Sequence, residues 1–495
     1  MASFSSKLVP ASSAVFGIFS ALLTVHCTEL AERTPVDAGE DVAVVEPDAA
    51  VDGGTDATTG PETGAETGTP DAGTPPIDFV CGDRDAWSLG ARQSPACGVR
   101  RAQEVSKLSR DGISFRALAI GRSATGRIGL AWSEETGIDV STSVLRTTSF
   151  VPGASAVAGT MFTEPALYAS SEVDGPGYDG LAAVGAKDDS VYLAFPETQQ
   201  GVSNTIFEGS ISTSGQIIGV TSLATTVPRR THVAIARNTI NDDRAISWYV
   251  RPGNSGVDGR ILVRIRESGT LGAALSVTGN DTSSADAPAA GAQGLAFDGN
   301  GALTVVYGTS ATSGSFGRYS KRARGGNFAT PTTLFGNFND SSHQGLFPSI
   351  SARGTSAVMG AFKIEATGNT AGQVKYSLFK FDTAASQTTA FPQSPDPIYG
   401  NSKYSTFDVS GRAQIDAGGL LHMVFAYHSV AGTCRVEYRR QSLLNGTPTW
   451  YEDTVHIASC AADEVPLVDF VLDDGRRPHI AYAFGNAVGY ATIYP

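Results

Sequence analysis

Charge and methionine are both in short supply in this sequence. Only 17% of the 495 residues are Asp, Glu, Lys or Arg, and there are four Met. With 56 Gly beside them, that mix suits turn-rich β structure better than a helix bundle. No Lys/Arg stripe interleaved with aromatics is present, so a nucleic-acid partner has no electrostatic footprint. No Cys-x-x-Cys or His-rich spacing exists to hold zinc, and no metal or other cofactor is expected. A Gly-x-Ser-x-Gly elbow, a phosphate loop and a zinc helix motif are missing as well, which removes the common signatures of catalysis.

The acid that is present is concentrated at one end. Between Thr28 and Asp78 stand thirteen acidic residues and one base, Arg33, so this segment carries −12 of the formal net charge of −13. With Lys7 set aside, the remainder is close to neutral. Residues 28–80 contain repeated Asp-Ala-Gly at Asp37 to Gly39 and Asp71 to Gly73, and Thr28 to Ile77 lacks any aromatic residue. Such a composition cannot offset the entropy of ordering, and it predicts an extended acidic linker.

Ahead of the linker, residues 1–27 read as an export signal. Lys7 supplies a thin positive start, and the apolar run Ala14 to Val25 is too short and too broken by Ser and Gly for a membrane span. Its end, Leu23-Thr24-Val25-His26-Cys27, resembles the lipobox of bacterial lipoproteins, although His26 stands where that family has Gly, Ala or Ser. The resemblance implies lipidation at Cys27, a membrane as partner, and an outer-membrane or cell-surface location. Ordinary secretion with cleavage nearby and an uncleaved anchor are the alternatives. Four further cysteines, Cys81, Cys97, Cys434 and Cys460, form an even set in an exported chain and are read as disulfides. Three pairings are possible. The local one, Cys81 with Cys97 and Cys434 with Cys460, is favoured by short loops and by the Asn445-Gly446 turn between the second pair. Residues 81–98 are then a disulfide-bearing lead-in.

From residue 99 onward the chain repeats itself. An apolar strand, a Gly/Asp/Asn turn and a second apolar strand ending in an aromatic recur seven times. The aromatics are Trp132, Phe195, Trp248, Tyr307, Phe362, Phe425 and Tyr482, spaced 53 to 63 residues apart. The preceding strands are Ala117 to Ile120, Leu181 to Val184, Val233 to Ala236, Leu295 to Asp298, Ser349 to Ala352, Ala413 to Asp416 and Asp469 to Leu472. Turns such as Asp298-Gly299-Asn300-Gly301, Asp416-Ala417-Gly418-Gly419 and Asp473-Asp474-Gly475 join each pair, Asp and Asn tolerating and Gly supplying left-handed backbone. A third strand alternates apolar and charged residues, as in Arg260 to Arg266 and Gln373 to Lys380. A fourth is clearest in Trp450 to His456. The last unit stops one strand short, and Arg101 to Leu108 is expected to supply the missing strand. The predicted fold is therefore all-β, a seven-bladed β-propeller over residues 99–495 with four antiparallel strands per blade, its last blade closed by an N-terminal strand.

Gly475 to Tyr482 (GRRPHIAY), Gly419 to Phe425 (GLLHMVF) and Gly301 to Tyr307 (GALTVVY) resemble blades of secreted and surface propellers related to the sialidase-type BNR repeat superfamily. The Asp-box that marks true sialidases is absent, so the resemblance implies fold and no particular activity.

Candidate site residues follow from the propeller reading. Loops joining second to third strands gather on the face where propeller ligands sit, and here they offer Glu134, Glu197, Arg251, Glu365, Tyr427, His428 and Asn486. His428 is expected to be exposed. His422 and His479 stand three residues before their aromatics, where other units have Gly129, Tyr192, Ala245, Thr304 and Met359. A position that accepts all of those is a packing slot. Two functions remain open. The leading one is a non-catalytic, monomeric surface module that binds a glycan or protein, with no clustered acids on the axial face. The other is a secreted glycoside hydrolase or lyase, which needs two or three carboxylates converging on one pocket.

Overall fold

The computed structural model describes strands and most of their turns between residues 99 and 493. Residues 1–98, and with them Cys27, Cys81, Cys97 and the expected signal, linker and lead-in, lie outside the described residues, as do several longer interstrand segments such as 251–259 and 391–408. Every element found is a strand, and every strand pairing is antiparallel.

The first strand, β1 (Val99–Lys107), stands apart from those that follow it. Next come β2 (Phe115–Arg122), β3 (Ile128–Glu135), β4 (Ser143–Phe150) and β5 (Phe162–Glu164), one sheet in that order. A second sheet holds β6 (Ala182–Gly185), β7 (Val191–Gln199), β8 (Ser203–Ile211) and β9 (Ile217–Val227). The third contains β10 (Val233–Arg237), β11 (Arg244–Val250) and β12 (Arg260–Glu267), whose outer edge pairs with two short pieces, β13 (Thr270–Leu271) and β14 (Leu275–Ser276). In the fourth are β15 (Pro288–Phe297), β16 (Leu303–Ala311), β17 (Gly314–Arg322) and β18 (Thr332–Phe335). The fifth comprises β19 (Leu346–Arg353), β20 (Ser356–Glu365), β21 (Gln373–Asp382) and β22 (Gln387–Ala390). Then follow β23 (Val409–Ile415), β24 (Leu421–His428), β25 (Thr433–Leu444) and β26 (Thr447–Ser459), with the Cys434–Cys460 disulfide joining strand β25 to the residue just after β26. The last sheet has β27 (Leu467–Leu472), β28 (Pro478–Phe484) and β29 (Ala487–Ile493), and its fourth strand is β1, paired with β29 from Val99 opposite Ile493 to Lys107 opposite Ala487.

Burial explains the strand patterns. The second strands β24 and β28 are buried almost throughout, so their sequences run LHMVFAYH and PHIAYAF without polar alternation. Strand β12 (RILVRIRE) alternates buried and half-buried residues because only one of its faces is covered. Trp132, Phe195, Trp248, Tyr307 and Phe425 are fully buried or within 1% of it. Each contributes about 2 to 3 kcal/mol by burial. The cores lie between neighbouring sheets. One packs Leu118, Leu130 and Trp132 against Ala481, Val488 and Tyr490, and another packs Val424, Val436 and Tyr438 against Phe470, Ile480 and Tyr482.

First strands of successive sheets lie side by side: β2 by β6, β6 by β10, β10 by β15, β15 by β19, β19 by β23, β23 by β27, and β27 by β2. At the β2–β6 contact Gly185 allows the approach, since a Cβ there would overlap the Arg122 carbonyl oxygen. Ion pairs join sheets farther out, Glu267 to Arg322 at 2.6 Å, Asp243 to Arg324 at 2.8 Å and Asp474 to Arg122 at 3.4 Å.

The first hairpin turns share one construction. Backbone N–H groups of Asp298, Asp416 and Asp473 donate to the carbonyls four residues on, and their carboxylates accept the returning N–H groups of Ala302, Leu420 and Arg477. The left-handed residue is Gly301 (φ 78°), Gly419 (φ 79°) and, in the last turn, Arg476 (φ 63°). The turn needs its left-handed residue three positions after the Asp, and in the last turn the chain has arginine there.

Candidate functional site

Several sequence-derived site residues fall in places that leave them little freedom. Residues expected in loops after the second strands are in strands, because the second and third strands stay paired well beyond the aromatics. Glu134 faces Val144, Glu197 faces Thr205, Glu365 faces Gln373, and Tyr427 and His428 face Arg435 and Cys434. Glu134 is fully buried, accepts from Trp132 Nε1 at 2.8 Å and pairs with Arg146. The Tyr427 hydroxyl donates to Glu437 Oε1 at 2.6 Å, and burial, with the Glu437 charge beside it, raises its pKa. His428 is 6% exposed, contrary to its expected accessibility, because strand β24 carries it into the sheet. The side chains of Glu197 and Glu365, and all of Arg251 and Asn486, lie outside the described residues.

His422 and His479 are built into the sheets in matching ways. His422 Nδ1 meets Tyr438 Oη at 2.7 Å and its Nε2 meets Asp416 Oδ2 at 3.2 Å. His479 Nδ1 meets Tyr490 Oη at 2.6 Å, with Asp473 Oδ2 3.6 Å from Nε2. Burial would raise the Asp473 pKa, but hydrogen bonds from His479 and Arg477 overcome it and bring the carboxyl down to about 2. Burial lowers the His479 pKa despite that neighbour. Each histidine thus bridges a turn carboxylate to a third-strand tyrosine inside the core.

The polar groups with room around them are elsewhere, at the centre. A cavity of about 430 Å³ is lined by the first strands of all seven sheets, through Ile120, Ala183, Ile235, Leu295, Ile350 and Val471 among others. Side-chain hydrogen bonds stitch these strands sideways. Ser349 Oγ accepts from Ala413 N at 2.9 Å, and Gln414 donates to Phe470 O at 2.7 Å while accepting from Leu472 N at 3.1 Å. Asp469 Oδ2 accepts from Ile120 N at 3.1 Å, and Arg237 Nη1 donates to Gly185 O at 3.1 Å. Lateral bonds of this kind are needed because the backbone groups of a first strand can pair only within its own sheet.

Charge in the cavity is nearly balanced. Arg412 stands 3.5 Å from Asp469, and burial raises the Asp469 pKa against the pull of that guanidinium. Arg237, also in the lining, is tied to Asp242. Asp298 is spent on its turn and on Lys321 at 3.1 Å. His232 is buried, and burial first, then the nearby Arg412, pushes its pKa down to about 3, so the ring is neutral at pH 7.

Two buried polar atoms of the lining have no hydrogen-bond partner among the described residues. Gln293 spends its amide on His232 O at 3.0 Å and Ser247 Oγ at 3.1 Å, which leaves Oε1 unpaired. His232 Nδ1 is unpaired as well. Leaving such a group unsatisfied costs about 1 to 3 kcal/mol.

Sequence reasoning did not single out His232, Gln293, Arg412 or Asp469. A signal existed, since each is a polar residue in or beside a first strand that is otherwise largely small or apolar, although β10 also carries Arg237 and β23 also carries Gln414. Two carboxylates, Asp298 and Asp469, line the cavity among the described residues, and each already faces a cation.

The arrangement defines a β-propeller with a polar cavity among its inner strands. No family model matches the chain, and no curated protein matches it. Among solved structures it is similar to a lectin from Burkholderia pseudomallei, at 12% identity over 77% of this chain and 99% of that one, with a TM-score of 0.47. A polysaccharide lyase is similar at 11% identity, 83% and 95% coverage and a TM-score of 0.42. An α-L-arabinofuranosidase from Fusarium graminearum, a mutant bound to an iminosugar inhibitor, is similar at 8% identity, 80% and 97% coverage and a TM-score of 0.40. At these identities no residue role passes from those proteins to this chain.

Proposed function

We propose that the protein is an exported, closed, seven-bladed β-propeller that acts as a non-catalytic binding module for a glycan or a protein. Each of the seven sheets is one blade, and β1 completes the last. Pairing β1 with β29 in one sheet removes the free edge at which such a ring would otherwise open. The acidic linker tethers the propeller, as a monomer, to a membrane through a lipidated Cys27.

The observation that carries the binding reading is the state of the carboxylates. Glycoside hydrolysis needs two acids flanking a scissile bond, one ready to give and one to take a proton or attack. Among the described residues, Asp298 in the central cavity is held by Lys321 and its own turn, and Asp469 is paired with Arg412. Glu134 is locked by Trp132 and Arg146. What the cavity does offer is neutral hydrogen-bonding capacity within apolar walls, which suits recognition.

Binding to a glycan array without release of new reducing ends from any bound polysaccharide is the expected result. Turnover of a bound polysaccharide would refute the non-catalytic assignment. Mass spectrometry of the mature N-terminus is expected to find acylated Cys27, and an unmodified terminus farther along the chain would remove the membrane tether.

A further inference from the structure

We infer that the central cavity takes one uncharged saccharide unit, held by hydrogen bonds to Gln293, His232 and Arg412. The inference rests on the binding reading above and narrows its ligand to a neutral polyhydroxylated one.

Three observations converge on it. First, the lining carries unspent hydrogen-bonding capacity at buried atoms, Gln293 Oε1 and His232 Nδ1, on residues that are 3% and 7% exposed. Buried polar atoms are almost always paired, so an unpaired acceptor and an unpaired ring nitrogen in the wall of one cavity point to a partner from outside the chain. Second, the geometry determines what Gln293 can do. Its amide nitrogen faces a backbone carbonyl and a hydroxyl, so the free atom is the carbonyl oxygen, which needs a donor. Arg412, whose side chain is 27% exposed, supplies donors from the same lining. A sugar hydroxyl both donates and accepts, and vicinal hydroxyls satisfy both kinds of partner at once.

Third, the electrostatics disfavour charged ligands. Arg412 is offset by Asp469 at 3.5 Å, Arg237 by Asp242, and the His232 ring is neutral at pH 7. A uronate or phosphate would meet the Asp469 carboxylate, and an amine would meet Arg412, each losing hydration without a free counter-charge. The walls contributed by Ile120, Leu181, Ile235, Leu295 and Ile350 give an apolar surface for the C–H face of a ring. A cavity of about 430 Å³ falls in the size range of small-molecule sites, roughly 300 to 1,000 Å³.

The test uses the full-length protein on an array of neutral, uronate-bearing and amino-sugar oligosaccharides, with Arg412→Met alongside. Neutral oligosaccharides are expected to bind, and Arg412→Met is expected to weaken them at least tenfold while its near-ultraviolet circular dichroism stays native. Should that variant not fold, the native protein is titrated with the neutral oligosaccharide it binds best, and the imidazole ¹⁵N signals of His232 are followed. A shift of those signals supports the assignment, and their invariance overturns it. Neutral-saccharide binding unchanged by Arg412→Met also overturns the cavity assignment while leaving a binding module in place. Preference for uronates, or no saccharide binding at all, overturns the inference. Cleavage of the bound oligosaccharide would instead sink the non-catalytic reading, whichever residues hold it.

Discussion

His232 gives the structure a measurable pH signature. Its folded-state pKa of about 3 lies well below the ordinary value of 6.5, because burial disfavours the charged ring and Arg412 adds to that. Below pH 6.5 the unfolded chain binds a proton at this position that the folded chain refuses. The stability this group confers is therefore complete above pH 6.5 and is lost as pH falls toward 3. The slope is about 1.4 kcal/mol per pH unit, and lowering the pH from 7 to 5 costs about 2 kcal/mol from this residue alone. That figure is set by the unfolded chain, since native His232 is already neutral at pH 5. Replacing it with His232→Gln removes the titration. Urea unfolding at pH 7 and pH 5, read from the fluorescence of the buried Trp132 and Trp248, gives the difference for each protein. Subtracting the variant's pH dependence from that of the wild type cancels the other groups, including His479, whose pKa is also lowered by burial. The expected remainder is about 2 kcal/mol. A remainder near zero would mean that His232 is hydrated and titrates normally, and the burial of its ring would be wrong.

Three further outcomes follow from the packing. Gly185→Ala is expected to cost on the order of 3 kcal/mol or more, or to prevent folding, because the new methyl meets the Arg122 backbone, and a melting curve within a few degrees of wild type would contradict the close β2–β6 contact. Cys434→Ser with Cys460→Ser opens a loop of 26 residues and should destabilise by about 3.5 kcal/mol, to be compared in urea midpoints under identical conditions. At Arg476, both Gly and Ala lose the contact with Asp416, but only Gly is relaxed at φ 63°. Arg476→Gly should therefore be more stable than Arg476→Ala by about 1 kcal/mol, and equal stabilities would argue against the left-handed backbone there.

Much of the architecture was legible in the chain. Arg101 to Leu108 was expected as the missing strand, and β1 spans Val99–Lys107 against β29. The preceding strand at Val233 to Ala236 and the third strand at Arg260 to Arg266 each differ from β10 and β12 by a single residue. These features are local, since alternation, an aromatic at a strand's end and an Asp-Gly turn are consequences of nearby covalent structure. The Cys434–Cys460 pairing was favoured for the same reason, as a hairpin between two adjacent strands. The site was much less legible. Expecting functional residues in loops directed attention to Glu134, which its own sheet consumes, and to His428, which strand pairing buries.

Sequence alone therefore determined the repeat, the strands and their turns, because each depends on residues within a few positions of one another. Only the tertiary structure decided where chemistry is available. Gln293, Arg412 and Asp469 belong to three different sheets, His232 immediately precedes the first strand of a fourth, and the four are up to 237 residues apart in the chain. They line one cavity because the first strands of all the sheets pack side by side. Whether a buried polar atom finds a partner depends on that packing, and no spacing along the chain records it.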